Sequence, residues 1–137
     1  MPSIPPAPIL ATAFAVLLAA CVMPTKTPPQ TGPEDFEAYC ASCHGLDGRG
    51  GGEMADVLDR RPADLTRLAA GNGGTYPKGR VMAKIWGYAK PDGTTVMPSF
   101  GPLLEGDMLR YDAGDGIATP TPIRLVQLAE YVERIQE

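Results

Sequence analysis

The chain has few of the side chains that most metal and nucleotide chemistry needs. Its 137 residues include one histidine, His44, and three cysteines. A four-ligand zinc site is short of donors once Cys21 is set aside for the leader described below. Any metal bound through His44 must find its other ligands in other residue types. The longest apolar run, Ile9 to Ala20, covers about 12 residues, whereas a membrane-spanning helix needs about 20. No charged side chain precedes Lys26, and the formal net charge is −4. The mature domain is therefore mildly acidic, which argues against nucleic acid, a ligand that would call for a basic patch. Gly45 to Gly52 is glycine-rich but lacks the Gly-Lys-Ser/Thr ending and the preceding strand of a phosphate loop. Strand-like alternation is scarce, and there is no βαβ pattern, internal repeat or second domain.

What is present centres on Cys40-Ala41-Ser42-Cys43-His44. This is Cys-x-x-Cys-His, the attachment signature of a c-type haem. The two thiols sit about one helical turn apart and can add to the two vinyl groups of one porphyrin. The histidine that follows is placed to offer a neutral imidazole to the iron. A redox Cys-x-x-Cys would sit at the end of a strand in a βαβ unit, which is missing here. A plain Cys40–Cys43 disulfide is the blandest competing reading. With one histidine, the sequence provides for one haem at most.

Residues 1–20 read as a secretory leader. They end in Leu18-Ala19-Ala20-Cys21, which resembles a bacterial lipobox and makes Cys21 the candidate lipidated residue. An ordinary signal peptide that happens to contain a cysteine is the alternative. Residues 21–33 read as this cysteine plus a proline-rich linker, and 34–137 as the folded domain. Four prolines in residues 22–33 favour an extended chain that can reach roughly 35 Å. Export agrees with the attachment motif, because c-type haem is attached outside the bacterial cytoplasmic membrane.

A first helix is expected from Glu34 to Cys43, with Pro33 at its start and Glu34 and Asp35 in the first turn. Phe36, Tyr39, Cys40 and Cys43 share one face of it. A short helix ends near Gly71, and Lys78 to Tyr88 carries Val81, Met82, Ile85 and Trp86 at helical spacing. Thr121-Pro122 reads as a cap, with proline opening a last helix that runs to about Ile135. Its buried stripe is Leu125, Leu128, Ala129, Val132 and Ile135 or Gln136, with Glu130, Glu133 and Arg134 facing water. Asp112-Ala113-Gly114-Asp115-Gly116 lacks the calcium-loop pattern and reads as a surface turn or docking loop.

Gly32-x-x-x-Phe36-x-x-x-Cys40-x-x-Cys43-His44-Gly45, the later Met97-Pro98 and the closing apolar helix together resemble a class I (monohaem) cytochrome c, over roughly residues 32 to 136. The resemblance implies an all-α fold of three to five short helices around one covalently attached haem. It implies a close helix crossing at Gly32 and a proline carbonyl accepting a hydrogen bond from His44, with Pro62 as candidate; a helix-start proline is the alternative reading of Pro62. It also implies an indole near a haem propionate, with Trp86 as candidate; plain core packing fits Trp86 equally. Arg60 and Arg61 are further propionate candidates or solvated surface.

Met97 is the expected sixth ligand. A thioether is soft and suits low-spin haem iron, and the following proline stiffens the loop. Met23 lies in the linker, Met54 too close behind His44, Met82 on a helix face and Met108 in a polar stretch. An open site, or one filled by Lys78, Lys84 or Lys90, is the alternative.

The expected function is electron carriage by iron cycling between Fe(II) and Fe(III), with no catalysis by the chain itself. The protein is expected to be a monomer on the periplasmic side, held to a membrane through lipid on Cys21, with redox proteins as partners. The net acidity points weakly to basic docking residues on such a partner. The rival readings are the haem subunit of a larger oxidoreductase, or a ligand-binding haem protein if Met97 does not bind iron.

Overall fold

The computed structural model describes residues 32–88 and 97–137. The leader, Cys21, Met23, Lys90 and the linker up to residue 31 lie outside the described residues.

The first helix, α1, spans Gly32–Tyr39. It takes in Gly32 and Pro33, which the sequence assigned to the linker, because a proline in the first turn loses no helical hydrogen bond. Asp35 and Phe36 are buried, while Glu34 and Glu37 face solvent. The expected single helix is broken at Cys40, whose φ of −116° lies outside the helical range, and resumes as α2, Ala41–His44. The ladder survives the break: Cys40 N–H donates to Phe36 O at 2.9 Å, and His44 N–H to Cys40 O at 2.8 Å. α3 covers Lys78–Trp86 and ends at Gly87. α4 covers Ile123–Arg134. Leu65–Arg67 and Ala70–Asn72 are two 3₁₀ turns, where the sequence suggested one short helix. None of the described helices is long and apolar enough to cross a membrane.

α4 organises the core. Leu125, Val126, Leu128, Ala129 and Val132 are buried along it, and each larger side chain of this kind contributes about 1.5–3 kcal/mol on burial. They pack with Phe36 and Cys40 from the attachment segment, Met82 and Ile85 from α3, and Leu104. The crossing with α1 is close enough that a Cβ on Gly32 would lie 2.1 Å from the Gln127 carbonyl oxygen. Beside it the rings of Phe36 and Tyr131 meet at 5.0 Å and 53°. Glu130 and Glu133 do not face open water as expected. Glu130 accepts from Tyr111 Oη at 3.1 Å, and Glu133 pairs with Lys78 at 2.8 Å.

The fold is mostly helical but not all-α. β1 (Met108–Tyr111) and β2 (Thr119–Pro122) form an antiparallel hairpin with Met108 opposite Pro122 and Tyr111 opposite Thr119. The Asp112 carboxylate closes its turn by accepting the N–H groups of Gly114, Asp115 and Gly116 at 2.8, 3.0 and 3.0 Å. Pro120 and Pro122 hide the strand in the sequence, since proline belongs only to edge strands. Thr121 therefore lies in a strand instead of capping the helix, and Pro122, expected as the first helical residue, ends the strand and takes the cap position with no side-chain bond. Ile123 N–H is instead taken by Asp107 O at 2.9 Å.

Candidate functional site

The loops around α2 are built to hold one histidine. Gly45 to Gly52 folds back over the attachment segment: Gly50 N–H donates to His44 O at 2.7 Å and Gly52 N–H to Cys43 O at 3.1 Å. Gly50 is held at φ +78°, and a Cβ there would sit 2.3 Å from Pro62 O, so only glycine fits between these backbones. On the far side, Asp64 accepts from Thr66 N–H at 2.9 Å and Thr66 Oγ1 at 2.6 Å. Ala63 is thereby fixed, and its carbonyl lies 2.9 Å from His44 Nδ1. A carbonyl only accepts, so Nδ1 carries the proton and Nε2 keeps its lone pair. The acceptor is thus Ala63, one residue beyond the expected Pro62, because the Pro62 carbonyl is turned onto Gly50.

His44 is buried, which lowers its pKa; the Ala63 bond opposes this. A neutral imidazole is the form that binds iron. Cys40 is 8% exposed. Burial, reinforced by Asp35 and Cys43, pushes its thiol up to about 12. Neither Cys40 nor Cys43 is in a disulfide.

Cys40, Cys43 and His44 open onto one cavity of about 780 Å³. Met97 and Pro98 line the same cavity, as does Pro62, so the structure brings together five of the expected site residues: Cys40, Cys43, His44, Pro62 and Met97. Leu58, Leu65 and Leu68 line it from the middle of the chain, Val81 and Ile85 from α3, and Leu128 and Val132 from α4. Those last two are core positions by periodicity; only the fold shows that they also wall the site. Arg60 and Arg61, for which propionate partners and solvated surface were equal expectations, are exposed and line the cavity, joined by Arg67, Arg80 and Lys84.

Other candidates fall elsewhere. Trp86 is not part of this lining; it faces a separate hollow with Met82, Met108 and Pro122. Its ring packs over Gly101 and its carbonyl accepts from Ser99 Oγ at 2.6 Å, which supports core packing and not a propionate contact. Met54 and Met108 are exposed, and Met82 is core. Lys78 is held by Glu133.

These walls suit a metal carried by a large apolar ligand and not a bare ion. Among the described residues, no three His, Cys, Asp or Glu groups converge to hold a metal ion. Two free thiols, an imidazole with its proton fixed on Nδ1, a thioether and aliphatic walls fit a thioether-linked iron porphyrin. A c-type cytochrome domain is the class that this fold and this donor set define. Over residues 27–110, more than half of its length, the chain matches the family described as cytochrome C oxidase, cbb3-type, subunit III, and it belongs to that family. Membership implies haem c with its iron and a role in electron transfer. No curated protein and no solved structure matches the chain.

Proposed function

We propose that the protein is an exported, monomeric electron-transfer protein carrying one haem c, with Cys40 and Cys43 as thioether attachments and His44 and Met97 as axial ligands. The observation that carries this reading is the single cavity lined by all four side chains. When bound, the haem supplies a one-electron Fe(II)/Fe(III) couple. The protein's residues do the rest. Cys40 and Cys43 keep the cofactor attached outside the cell interior. Ala63 fixes the His44 tautomer and ring, the kind of support that tunes a metal ligand. Pro98 restrains the loop that presents Met97. His44 and Met97 would both be taken up in holding the iron, which would leave substrate no place to bind it.

Residues 1–20 act in this reading as a lipoprotein leader. Cys21 carries the lipid, and residues 22–31 tether the domain on the periplasmic side of a membrane. Cys21→Ser then releases the protein from the membrane fraction.

The family match favours a second, compatible reading, in which the chain is a haem subunit of an oxidase complex and passes electrons within it. Co-purification from native membranes at stoichiometric yield distinguishes the subunit from a free carrier.

The deciding experiment is the visible spectrum of protein matured in a cytochrome c-competent host, oxidised and reduced, beside Met97→Ala. A sharp low-spin reduced spectrum is expected, with a weak far-red band in the oxidised protein that the variant loses. A high-spin wild-type spectrum that readily takes up carbon monoxide would falsify the carrier reading.

A further inference from the structure

The end of α3 and the residues just after Met97 are joined to each other. The last carbonyls of a helix have no partner within it. On α3, those of Ile85 and Trp86 are taken by the returning chain. Phe100 N–H donates to Ile85 O at 2.9 Å, and Ser99 Oγ donates to Trp86 O at 2.6 Å. The partial negative charge at a helix C-terminus favours both donors. Packing closes the join: a Cβ on Gly87 would lie 2.3 Å from Ser99 Oγ, and one on Gly101 would lie 2.9 Å from Trp86 O. The Phe100 ring meets that of Tyr39 at 6.5 Å and lines the cavity. α3 also sends Val81 and Ile85 into the cavity wall. One helix therefore walls the cavity and holds the loop that carries Met97.

We infer that Ser99 is a positioning residue for the sixth ligand, its hydroxyl latching the Met97-Pro98 loop onto the end of α3. The inference rests on the reading of Met97 as an axial ligand. Only Pro98 separates Met97 from Ser99, and its fixed φ leaves little slack between ligand and latch. The bond from Phe100 is made by backbone and persists whatever the side chains are. The hydroxyl of Ser99 is the part of the latch that the sequence can vary. Without it the loop leaves its place more often. A foreign ligand then gains apparent affinity in proportion to the fraction of molecules whose thioether is away. The bond is exposed, so water competes for both partners and its net worth is that of one ordinary hydrogen bond.

Imidazole, a small ligand for ferric haem, reads this hold directly. Its apparent affinity for the oxidised holoprotein is measured from the visible spectrum in the wild type, Ser99→Ala, Ser99→Thr and Tyr76→Phe. Ser99→Ala is expected to bind imidazole roughly 3- to 10-fold more tightly than the wild type. Ser99→Thr, which keeps the hydroxyl, is expected to stay within about twofold of the wild type. Tyr76→Phe, which loses a bond to Ala129 O outside the Met97 loop, is expected to match it. Ser99 is exposed, so neither change there disturbs the core. A rise of less than about twofold in Ser99→Ala overturns the positioning role and leaves Met97 ligation standing. An equal rise in Tyr76→Phe also overturns it, since loosening of the whole fold would then be the cause. A wild-type oxidised spectrum without the far-red band overturns Met97 ligation and the role of Ser99 together.

Discussion

Asp35 on the first helix and Arg124 on the last form a two-pronged ion pair across 89 residues of chain. Arg124 Nε donates to Asp35 Oδ2 at 3.1 Å and Nη2 donates to Oδ1. Nη1 continues to the Leu103 carbonyl at 2.6 Å, and the guanidinium lies over the Tyr39 ring at 5.9 Å. Asp35 is fully buried, so the pair works only as a pair. Arg124→Met strands a buried carboxylate and is expected to cost about 3–5 kcal/mol. Asp35→Leu/Arg124→Met together should cost clearly less than the sum of the single changes. Urea unfolding of the three variants measures the difference, and additive losses would count against a coupled pair.

The crossing at Gly32 has no room for a side chain. Gly32→Ala places a methyl against the Gln127 backbone, 2.1 Å from its oxygen. The helices must part, and overpacking of this kind costs about 1–3 kcal/mol. A thermal midpoint equal to the wild type's would show that the crossing is looser than described.

Gln136 ties the end of α4 to the segment that holds His44. Its amide donates to Leu65 O at 2.6 Å and Val132 O at 2.7 Å, and accepts from Ala69 N–H at 2.8 Å. Gln136→Leu removes all three bonds at similar size and is expected to cost about 1–3 kcal/mol. Because Ala63 lies just before this segment, the reduction potential should shift as well. Tyr76→Phe, which loses only the bond from Tyr76 Oη to Ala129 O, serves as the control. If both variants lose stability and neither moves the potential, Gln136 does not position the His44 acceptor.

Asp64 makes the same segment sensitive to acid. Hydrogen bonds from Thr66 hold its carboxyl below the ordinary value of 3.8. The stabilisation is present above the unfolded pKa and is lost as pH falls through the lower folded value. The stability gap between wild type and Asp64→Asn should therefore be constant near neutrality and shrink below pH 3.8. A gap that widens in acid would reverse the assignment. Chemical denaturation at fixed pH values from about 6 to about 2.5 follows it.

Much of this was legible in the residues. Cys-x-x-Cys-His located the attachment segment, and apolar periodicity located α3 and α4 because their buried faces follow the helical repeat. Context singled out Met97 among the methionines, and the fold places it in the lining of the cavity. What escaped depends on partners distant in sequence. Asp35 reads as an ordinary first-turn acid until Arg124 is brought to it. Leu104 lies in a short turn with no periodicity, yet it is fully buried. The hairpin is masked by prolines at alternate positions of β2. The difference between Pro62 and Ala63 is a one-residue matter of backbone direction, which no side-chain pattern encodes.

The hairpin contributes no side chain to the cavity. Its turn is exposed at Asp112 and from Gly114 to Gly116, with Ala113 half-buried against the core, and it is closed by the carboxylates of Asp112 and Asp115. That makes the turn a handle for engineering. A fluorophore, an affinity tag or a thiol for tethering to an electrode can be grafted between Gly114 and Gly116, on residues that do not line the cavity.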